Sequence, residues 1–237
     1  MTTPDRRELA RCGVRASSAE RTAGGQQAAL ARLLHAVGQA GGLAVLCGPG
    51  GAGVSTVLGR LAAEVDASGG TVVRLSATEF DRGAAPLPAI RAGAAVASVV
   101  TILLDDAHRA ADGQLGVFVR RVRDELPAAS MVLAGQGRLL TLLAREGDLG
   151  GRAPLRATVR PWSAAETEAV VTASLEAAGV AYEALVPATI HEIAAGIPRG
   201  IFQLLETALL VTAVQPARQL QAGDLEQMHE SLSLAAA

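Results

Sequence analysis

A glycine-rich turn between a buried strand and a helix constrains this chain more than any other stretch of its sequence. Five consecutive apolar residues, Leu43 to Cys47, are typical of a strand that is covered on both faces, as in a parallel sheet. Glycines then occupy four of the next six positions, namely Gly48, Gly50, Gly51 and Gly53. Because glycine tolerates left-handed torsions, successive backbone N–H groups there can point into one concavity. Such a concavity suits a phosphate group.

The same turn matches the phosphate-binding pattern G-x-x-x-x-G-K-[ST] except at the position of the lysine. Gly48 and Gly53 take the two glycine positions. Ser55 supplies the hydroxyl that holds Mg²⁺, and Val54 stands in place of the lysine. We therefore predict a P-loop that binds nucleotide phosphates; the predicted residues are Gly48, Pro49, Gly50, Gly51, Ala52, Gly53, Val54, Ser55 and Thr56. The alternative is a glycine-rich turn of an α/β protein that binds nothing.

Val54 removes a charge that the motif normally supplies. The lysine contacts the β- and γ-phosphates and neutralises charge during phosphoryl transfer, and valine can do neither. All 21 basic side chains of the chain are arginines, so drift away from lysine alone would have left arginine at this position. We expect weakened nucleotide affinity and slow or absent hydrolysis, while the backbone and the helix N-terminus still attract an anion.

Composition bounds the class of protein. Of the 237 residues, 50% are hydrophobic but only 2% are aromatic, which favours helices of Ala, Leu and Val packed on a parallel sheet. A net charge of -2 does not indicate nucleic acid binding, although it leaves a local basic patch open. Cys12 and Cys47 are predicted to be free thiols in a reducing compartment. The charged N-terminus and the lack of any apolar run near ~18 residues predict a soluble, cytoplasmic chain without a membrane span.

Hydrophobic periodicity predicts alternating strands and helices up to about residue 160 and helices alone after it. The predicted strands are 43–47, 71–75, 99–104, 130–134 and 155–159, and the first two are expected to pair in parallel through a right-handed crossover. From Pro161 onward, Ser163 and Glu166 form a capping box that opens a helix to Ala178. Further helices are predicted at 188–195 and 224–234, and between them the stretch 197–201 is predicted to open a helix that runs to about residue 214.

These patterns predict an α/β fold: a P-loop NTPase with a five-stranded, mainly parallel sheet flanked by helices, plus a small C-terminal all-helical lid. The predicted domains are a flexible N-terminal arm at 1–24, the P-loop core at 25–160 and the helical lid at 161–237.

Polar residues end the third and fourth predicted strands. Asp105 and Asp106 follow one of them, and Gln136 follows the other. In open α/β sheets, ligands bind at the carboxyl ends of the strands, so these residues are predicted to lie beside the P-loop. Asp105 is predicted to hold Mg²⁺ together with Ser55, and Gln136 to lie near the γ-phosphate. The alternatives are aspartates that cap the next helix and a glutamine in a turn.

Five motifs in order over about residues 25–215 resemble the AAA+ ATPases of the ExeA (GspA) secretion-pathway type and the related TniB and MuB transposition ATPases. They are the P-loop, VTILLDDAH, VLAGQGRL, RPWSAAETEAVVTASLEAAG and GIPRGI. The chain departs from the family pattern at Val54 and at Asp106, which stands where such proteins have the glutamate that activates water. It also has a shortened segment between the second and third strands.

The resemblance implies ATP or ADP and Mg²⁺ as ligands, and catalytic roles for Asp106, Gln136 and Arg199. Arg199, in the GIPR frame, would be the lid residue that senses the γ-phosphate; its alternative is a solvent-exposed arginine at a helix start. The resemblance also implies an arginine that acts on a neighbouring subunit, and the candidates are Arg145, Arg152 and Arg156. Since aspartate is one methylene shorter than glutamate, Asp106 is a second defect in the hydrolytic apparatus.

Two defects beside an otherwise complete loop and lid predict a protein that binds a nucleotide weakly or not at all and hydrolyses it poorly. It would act as an oligomeric switch or scaffold for a partner complex, either as a homo-oligomer or together with an ATPase paralogue. One alternative is an active ATPase of secretion or transposition machinery in which an arginine replaces the lost charge. The other is a degenerate P-loop protein of the ParA/MinD-like type, which the turn GPGGAGVST also resembles.

Overall fold

The computed structural model describes residues 24–82, 100–146, 149, 153–214 and 218–235. These residues fall into two compact units, Gly24–Arg160 and a unit that begins at Pro161. The predicted N-terminal arm lies outside the described residues, except for Gly24, which begins the first helix. Within the described ranges, no helix is long and apolar enough to cross a membrane.

The first unit alternates helices and strands as the periodicity predicts. Its elements are α1 Gly24–Val37, β1 Leu43–Cys47, α2 Val54–Ala67, β2 Thr71–Ser76, β3 Val100–Asp105, α3 Gln114–Glu125, β4 Ser130–Gly135, α4 Arg138–Arg145 and β5 Leu155–Thr158. Short 3₁₀ segments, Ala77–Arg82 and Ala107–Arg109, follow β2 and β3. The five predicted strands agree with those of the structure to within one residue at each end.

The strands form a five-stranded sheet in the order β2-β3-β4-β1-β5 within the described part of the chain. Every neighbouring pair is parallel. The predicted α/β fold with a five-stranded parallel sheet is therefore confirmed. The prediction that β1 pairs with β2 is wrong, because β3 and β4 lie between them. All five residues of β1 are buried, which suits an interior strand, whereas β2 carries the exposed Arg74 and lies at an edge.

Alternate residues of the strands cover the two faces of the sheet. On one face, Val45, Ile102 and Leu133 belong to a core cluster shared with α3 and α4. On the other face, Leu46, Leu103 and Val132 belong to a second cluster shared with α1 and α2. Apolar residues at every strand position are required because both faces are covered by helices. Because β1, β3 and β4 run parallel to one another, their carboxyl ends lie along one edge of the sheet.

The second unit is helical in its described residues. Its helices are α5 Ala164–Ala177, α6 Val186–Ala194, α7 Pro198–Val214 and α8 Ala222–Ala235. The predicted capping box is confirmed: the Glu166 N–H donates to the Ser163 hydroxyl, and the Ser163 N–H donates to the Glu166 carboxylate at 2.8 Å. Buried apolar side chains from the four helices, together with Trp162, form a third core cluster.

Ala195, at the C-terminus of α6, has a left-handed backbone with φ 49°. A side chain disfavours this conformation, so we expect Ala195→Gly to raise the free energy of unfolding by about 0.5–1 kcal/mol. Ala188→Gly, at an exposed position within the same helix, is the matched control and should lower it by a similar amount. Chemical denaturation followed by the fluorescence of Trp162, the single tryptophan, measures both. If both variants change the free energy of unfolding in the same direction, the expected backbone strain at Ala195 is contradicted.

Candidate functional site

The loop between β1 and α2 has the backbone conformation that its glycines were predicted to allow. Gly51 and Gly53 are left-handed, with φ of 83° and 99°. The N–H of Ala52, which is completely buried, donates to the Pro49 carbonyl at 3.1 Å and closes a tight turn. The Gly53 carbonyl then accepts the N–H of Val57 at 3.0 Å, so the turn leads directly into α2.

The N-terminus of α2 follows a glycine and has no capping side chain among the described residues. Its N-cap is Gly53, and none of the described side chains caps it. The first turn, which holds Ser55 and Thr56, contains no acidic residue, and both hydroxyl residues are exposed. The first N–H groups of a helix lack intrahelical partners and carry partial positive charge. The loop and this helix end can therefore hold an accessible phosphate group.

Val54 fills space beside the loop instead of supplying a charge. It is partly buried and packs against the apolar cluster beneath the sheet. A Cβ atom at Gly48 would lie 3.0 Å from Val54 Cγ2 and 2.9 Å from the Val159 carbonyl oxygen. Gly48 is thus enclosed by its neighbours, and Val54 contributes part of that enclosure by apolar contact.

The structure brings Gln136 against the loop. Gly135, the last residue of β4, is level with Cys47 at the end of β1. A Cβ atom at Gly50 would lie 3.4 Å from Gln136 Nε2, so the carboxamide lies directly beside the exposed part of the loop. The carbonyl oxygen of Gln136 accepts the N–H of Leu139 at 2.8 Å and starts α4. Gln136 therefore serves in a turn and also reaches the loop with its side chain.

Asp105 and Asp106 lie at the same edge of the sheet, but not on a strand adjacent to β1. Because β4 lies between β3 and β1, two strand spacings, about 10 Å, separate the strand of Asp105 from that of the loop. An Asp105 carboxylate oxygen, Oδ1, accepts the N–H of Asp106 at 2.8 Å. Asp106 itself has a left-handed backbone with φ 53°, a conformation that aspartate tolerates better than most residues.

Neither aspartate caps the 3₁₀ segment that follows with its side chain. Asp106 holds the N-cap position of Ala107–Arg109, but within the described residues its carboxylate makes no capping hydrogen bond there. No group of three or more His, Cys, Asp or Glu side chains converges on one point in the described part of the chain.

Arg145 is held by an acidic residue of its own chain. Its Nη1 lies 3.1 Å from an Asp112 carboxylate oxygen, and Arg138 Nη2 lies 3.9 Å from the other. All three side chains are more than half exposed, so the pairs contribute little to stability. The Arg145 side chain is thus largely exposed to solvent at the end of α4.

The remaining arginine candidates lie on different elements. Arg156 is exposed on the edge strand β5, and its carbonyl oxygen accepts a hydrogen bond from Arg32 at 3.3 Å. Arg152 lies outside the described residues. In the helical unit, Arg199 is the exposed second residue of α7. The roles predicted for these arginines stay predictions.

Cys47, directly before the loop, is a free and buried thiol. Burial raises its pKa, and the positive charge of Arg156 opposes this effect in part. The thiol is therefore uncharged at neutral pH and adds no negative charge next to the loop. Cys12, the other predicted free thiol, lies outside the described residues.

Helix α1 contributes a residue to the loop that the motifs do not indicate. Gln26 is only 5% exposed, and its Nε2 donates to the Ala52 carbonyl oxygen at 3.0 Å. The signal in the sequence is a polar residue on an otherwise apolar helix face, in line with Ala29 and Leu33. Periodicity marks Gln26 as inward-facing, but it does not say what the side chain contacts.

Comparisons with known proteins give the fold. No protein-family model matches the sequence, and no curated protein matches it significantly. The chain is similar to the Aeropyrum pernix ORC1 protein, solved in complex with DNA, with a TM-score of 0.67 and 16% identity over 94% of this chain and 69% of that one. A Thermotoga maritima RuvB mutant gives a TM-score of 0.60 and 17% identity over 93% of this chain and 74% of that one.

A Walker-type ATPase of Pyrococcus abyssi gives a TM-score of 0.57 and 15% identity, covering 86% of this chain and 71% of that one. Identities this low establish the fold alone. The closer resemblance to the ExeA and TniB type, and the roles of the site residues, stay predictions. The described part of the chain has the α/β fold of the AAA+ P-loop ATPases.

Proposed function

We propose that the chain binds a nucleoside diphosphate or triphosphate weakly through the backbone of its loop and hydrolyses it slowly. In this proposal it acts as an oligomeric switch or scaffold for a protein partner. The observation that carries the proposal is the loop itself, with left-handed glycines and an uncapped helix N-terminus at an accessible sheet edge. Val54 packs where the motif has lysine.

Each element of the loop region would have a separate task in holding the ligand. Backbone N–H groups of the loop and of the first turn of α2 would bind the phosphates. The Ser55 hydroxyl and the Asp105 carboxylate would hold Mg²⁺, which would neutralise part of the phosphate charge. Gln136, whose carboxamide lies beside Gly50, would donate a hydrogen bond to the outermost phosphate.

Two substitutions support slow turnover. Val54 cannot neutralise the charge that develops during phosphoryl transfer. Asp106 has a shorter side chain than the glutamate of similar proteins, and a misplacement of about 1 Å can cost on the order of a hundredfold in rate. A nucleotide that is bound but rarely hydrolysed suits a switch or an assembly factor better than a motor. Arg145, at the end of α4, and Arg156, on β5, are the described and exposed candidates for a contact with a second copy.

Isothermal titration with MgATP and MgADP tests the proposal. We expect measurable binding at submillimolar to millimolar nucleotide, and weaker Mg²⁺-dependent binding by Asp105→Asn. Asp66→Asn is the matched control, because it removes the same charge at the far end of α2, about 20 Å from the loop. Light scattering of the same samples, with and without nucleotide, measures assembly.

Three outcomes would count against the proposal. No heat of binding by the wild-type chain at millimolar nucleotide would favour the alternative of an α/β protein whose glycine-rich turn binds nothing. If nucleotide does not change the assembly state measured by light scattering, the proposed role as a switch is contradicted. Phosphate release well above the background rate would favour the alternative of an active ATPase.

A further inference from the structure

We infer that Gln26 is a positioning residue for the phosphate-binding loop. Its carboxamide holds the Ala52–Gly53 peptide so that the Gly53 N–H faces away from α1 and is available to a bound phosphate. This inference rests on the proposed nucleotide binding and names one residue that orients a backbone donor for it. Gln26 is 26 positions from Ala52 in the sequence and belongs to none of the five motifs.

The contact between Gln26 and the loop is buried and close. Gln26 is 5% exposed, and its Nε2 donates to the carbonyl oxygen of the completely buried Ala52 at 3.0 Å. A Cβ atom at Gly53 would lie 2.4 Å from the same Nε2 and 3.4 Å from Cδ. The carboxamide therefore lies across the last glycine of the loop. A buried carbonyl group needs such a partner, since an unsatisfied one is strongly disfavoured.

The planarity of the peptide group links this hydrogen bond to the predicted phosphate site. In a planar trans peptide, the C=O of one residue and the N–H of the next point in opposite directions. Because the Ala52 carbonyl points at Gln26, the Gly53 N–H points away from it. Rotation of this peptide would turn the N–H toward α1 and the carbonyl oxygen to the opposite side, where it would repel an anion. Gly53, with φ 99°, has the freedom to make such a rotation.

The absence of lysine at position 54 increases the importance of this orientation. Without an ammonium group, phosphate affinity depends on the backbone N–H groups of the loop and of α2. A hydrogen bond to a charged group is among the stronger ones in proteins, and losing one is expected to weaken binding about tenfold. If one backbone N–H group of the loop points away from the phosphate, a sizeable share of the phosphate affinity is lost.

Gln26→Leu tests the inference, because leucine has a similar volume but cannot donate a hydrogen bond. In the ligand-free protein, we expect faster amide hydrogen exchange in residues 50–56, with little change in the central strands. By calorimetry well below the melting temperature, we expect ADP to bind about tenfold more weakly. Gln27→Leu is the matched control, because Gln27 is the exposed neighbour on the same helix and should leave both values unchanged.

A second variant covers the case in which Gln26→Leu does not fold. Gln26→Glu keeps the size of the side chain, but its carboxylate would repel the Ala52 carbonyl oxygen, so it should show the same two changes.

The two measurements separate this inference from the proposed function. Unchanged loop exchange in the Gln26 variants overturns the positioning role, whether or not the protein binds ADP. Faster exchange with unchanged ADP affinity also overturns it, because Gln26 would then only support the fold. If the wild-type chain binds no ADP, the proposed function fails. Faster amide exchange in the loop of the Gln26 variants would in that case still support the role of Gln26 in fixing the loop conformation.

Discussion

Val54→Lys is expected to tighten the binding of MgADP and MgATP by roughly 10- to 100-fold, which is about 1.5–3 kcal/mol for one added charge-assisted hydrogen bond. In the structure, Val54 contributes apolar contact beside Gly48 and the core cluster beneath it. The aliphatic stem of a lysine can cover the same surface and carry its ammonium group into solvent or to a phosphate. Isothermal titration of both proteins measures the change.

Val54→Met is the matched control for this prediction. Methionine is unbranched and apolar, so it reproduces the length of the lysine stem without the charge. We expect its nucleotide affinity to equal that of the wild-type chain. If Val54→Met tightens binding as much as Val54→Lys, loop packing limits the affinity, and the interpretation of Val54 as a lost charge is wrong. If neither variant changes the affinity, the nucleotide does not bind at this loop.

Local patterns in the sequence predict most of the α/β fold. The apolar runs of β1, β3 and β4 mark buried strands because helices cover both faces of the sheet, so every position must be apolar. The glycines of the loop and the capping box at Ser163 are also local features, since each depends on residues within a few positions. These features lie where the sequence places them.

Features that depend on distant contacts are not accessible to such patterns. The order of the strands is one example: β1 and β2 are consecutive in sequence, yet two other strands separate them. The contact of Gln26 with Ala52 is another, because periodicity shows only that the residue faces inward. The left-handed backbone of Asp106 and the pairing of Arg145 with Asp112 likewise arise from the folded geometry. The candidate loop was therefore predictable, but its supporting contacts were not.

Gly53→Ala is expected to destabilise the first unit by about 2–4 kcal/mol and to abolish nucleotide binding. Two effects add at this position. The backbone has φ 99°, which disfavours any side chain, and the new Cβ would lie 2.4 Å from Gln26 Nε2. Gln26 is able to move aside, but it would then lose its hydrogen bond to Ala52. Urea denaturation followed by circular dichroism measures the stability, and calorimetry measures the binding.

Gly69→Ala separates the two effects. Gly69 has a similar left-handed backbone, with φ 81°, but no described atom lies within 4 Å of the position that its Cβ would take. We expect this control to cost only the backbone strain, about 1–2 kcal/mol, and to leave nucleotide binding intact. Adding Gln26→Ala to Gly53→Ala should cost less than the sum of the two single variants, because both lose the same hydrogen bond to Ala52, and it should not restore nucleotide affinity. If Gly53→Ala and Gly69→Ala are equally destabilising, the side chain of Gln26 moves aside without a cost in stability. The loop would then not depend on the position of Gln26.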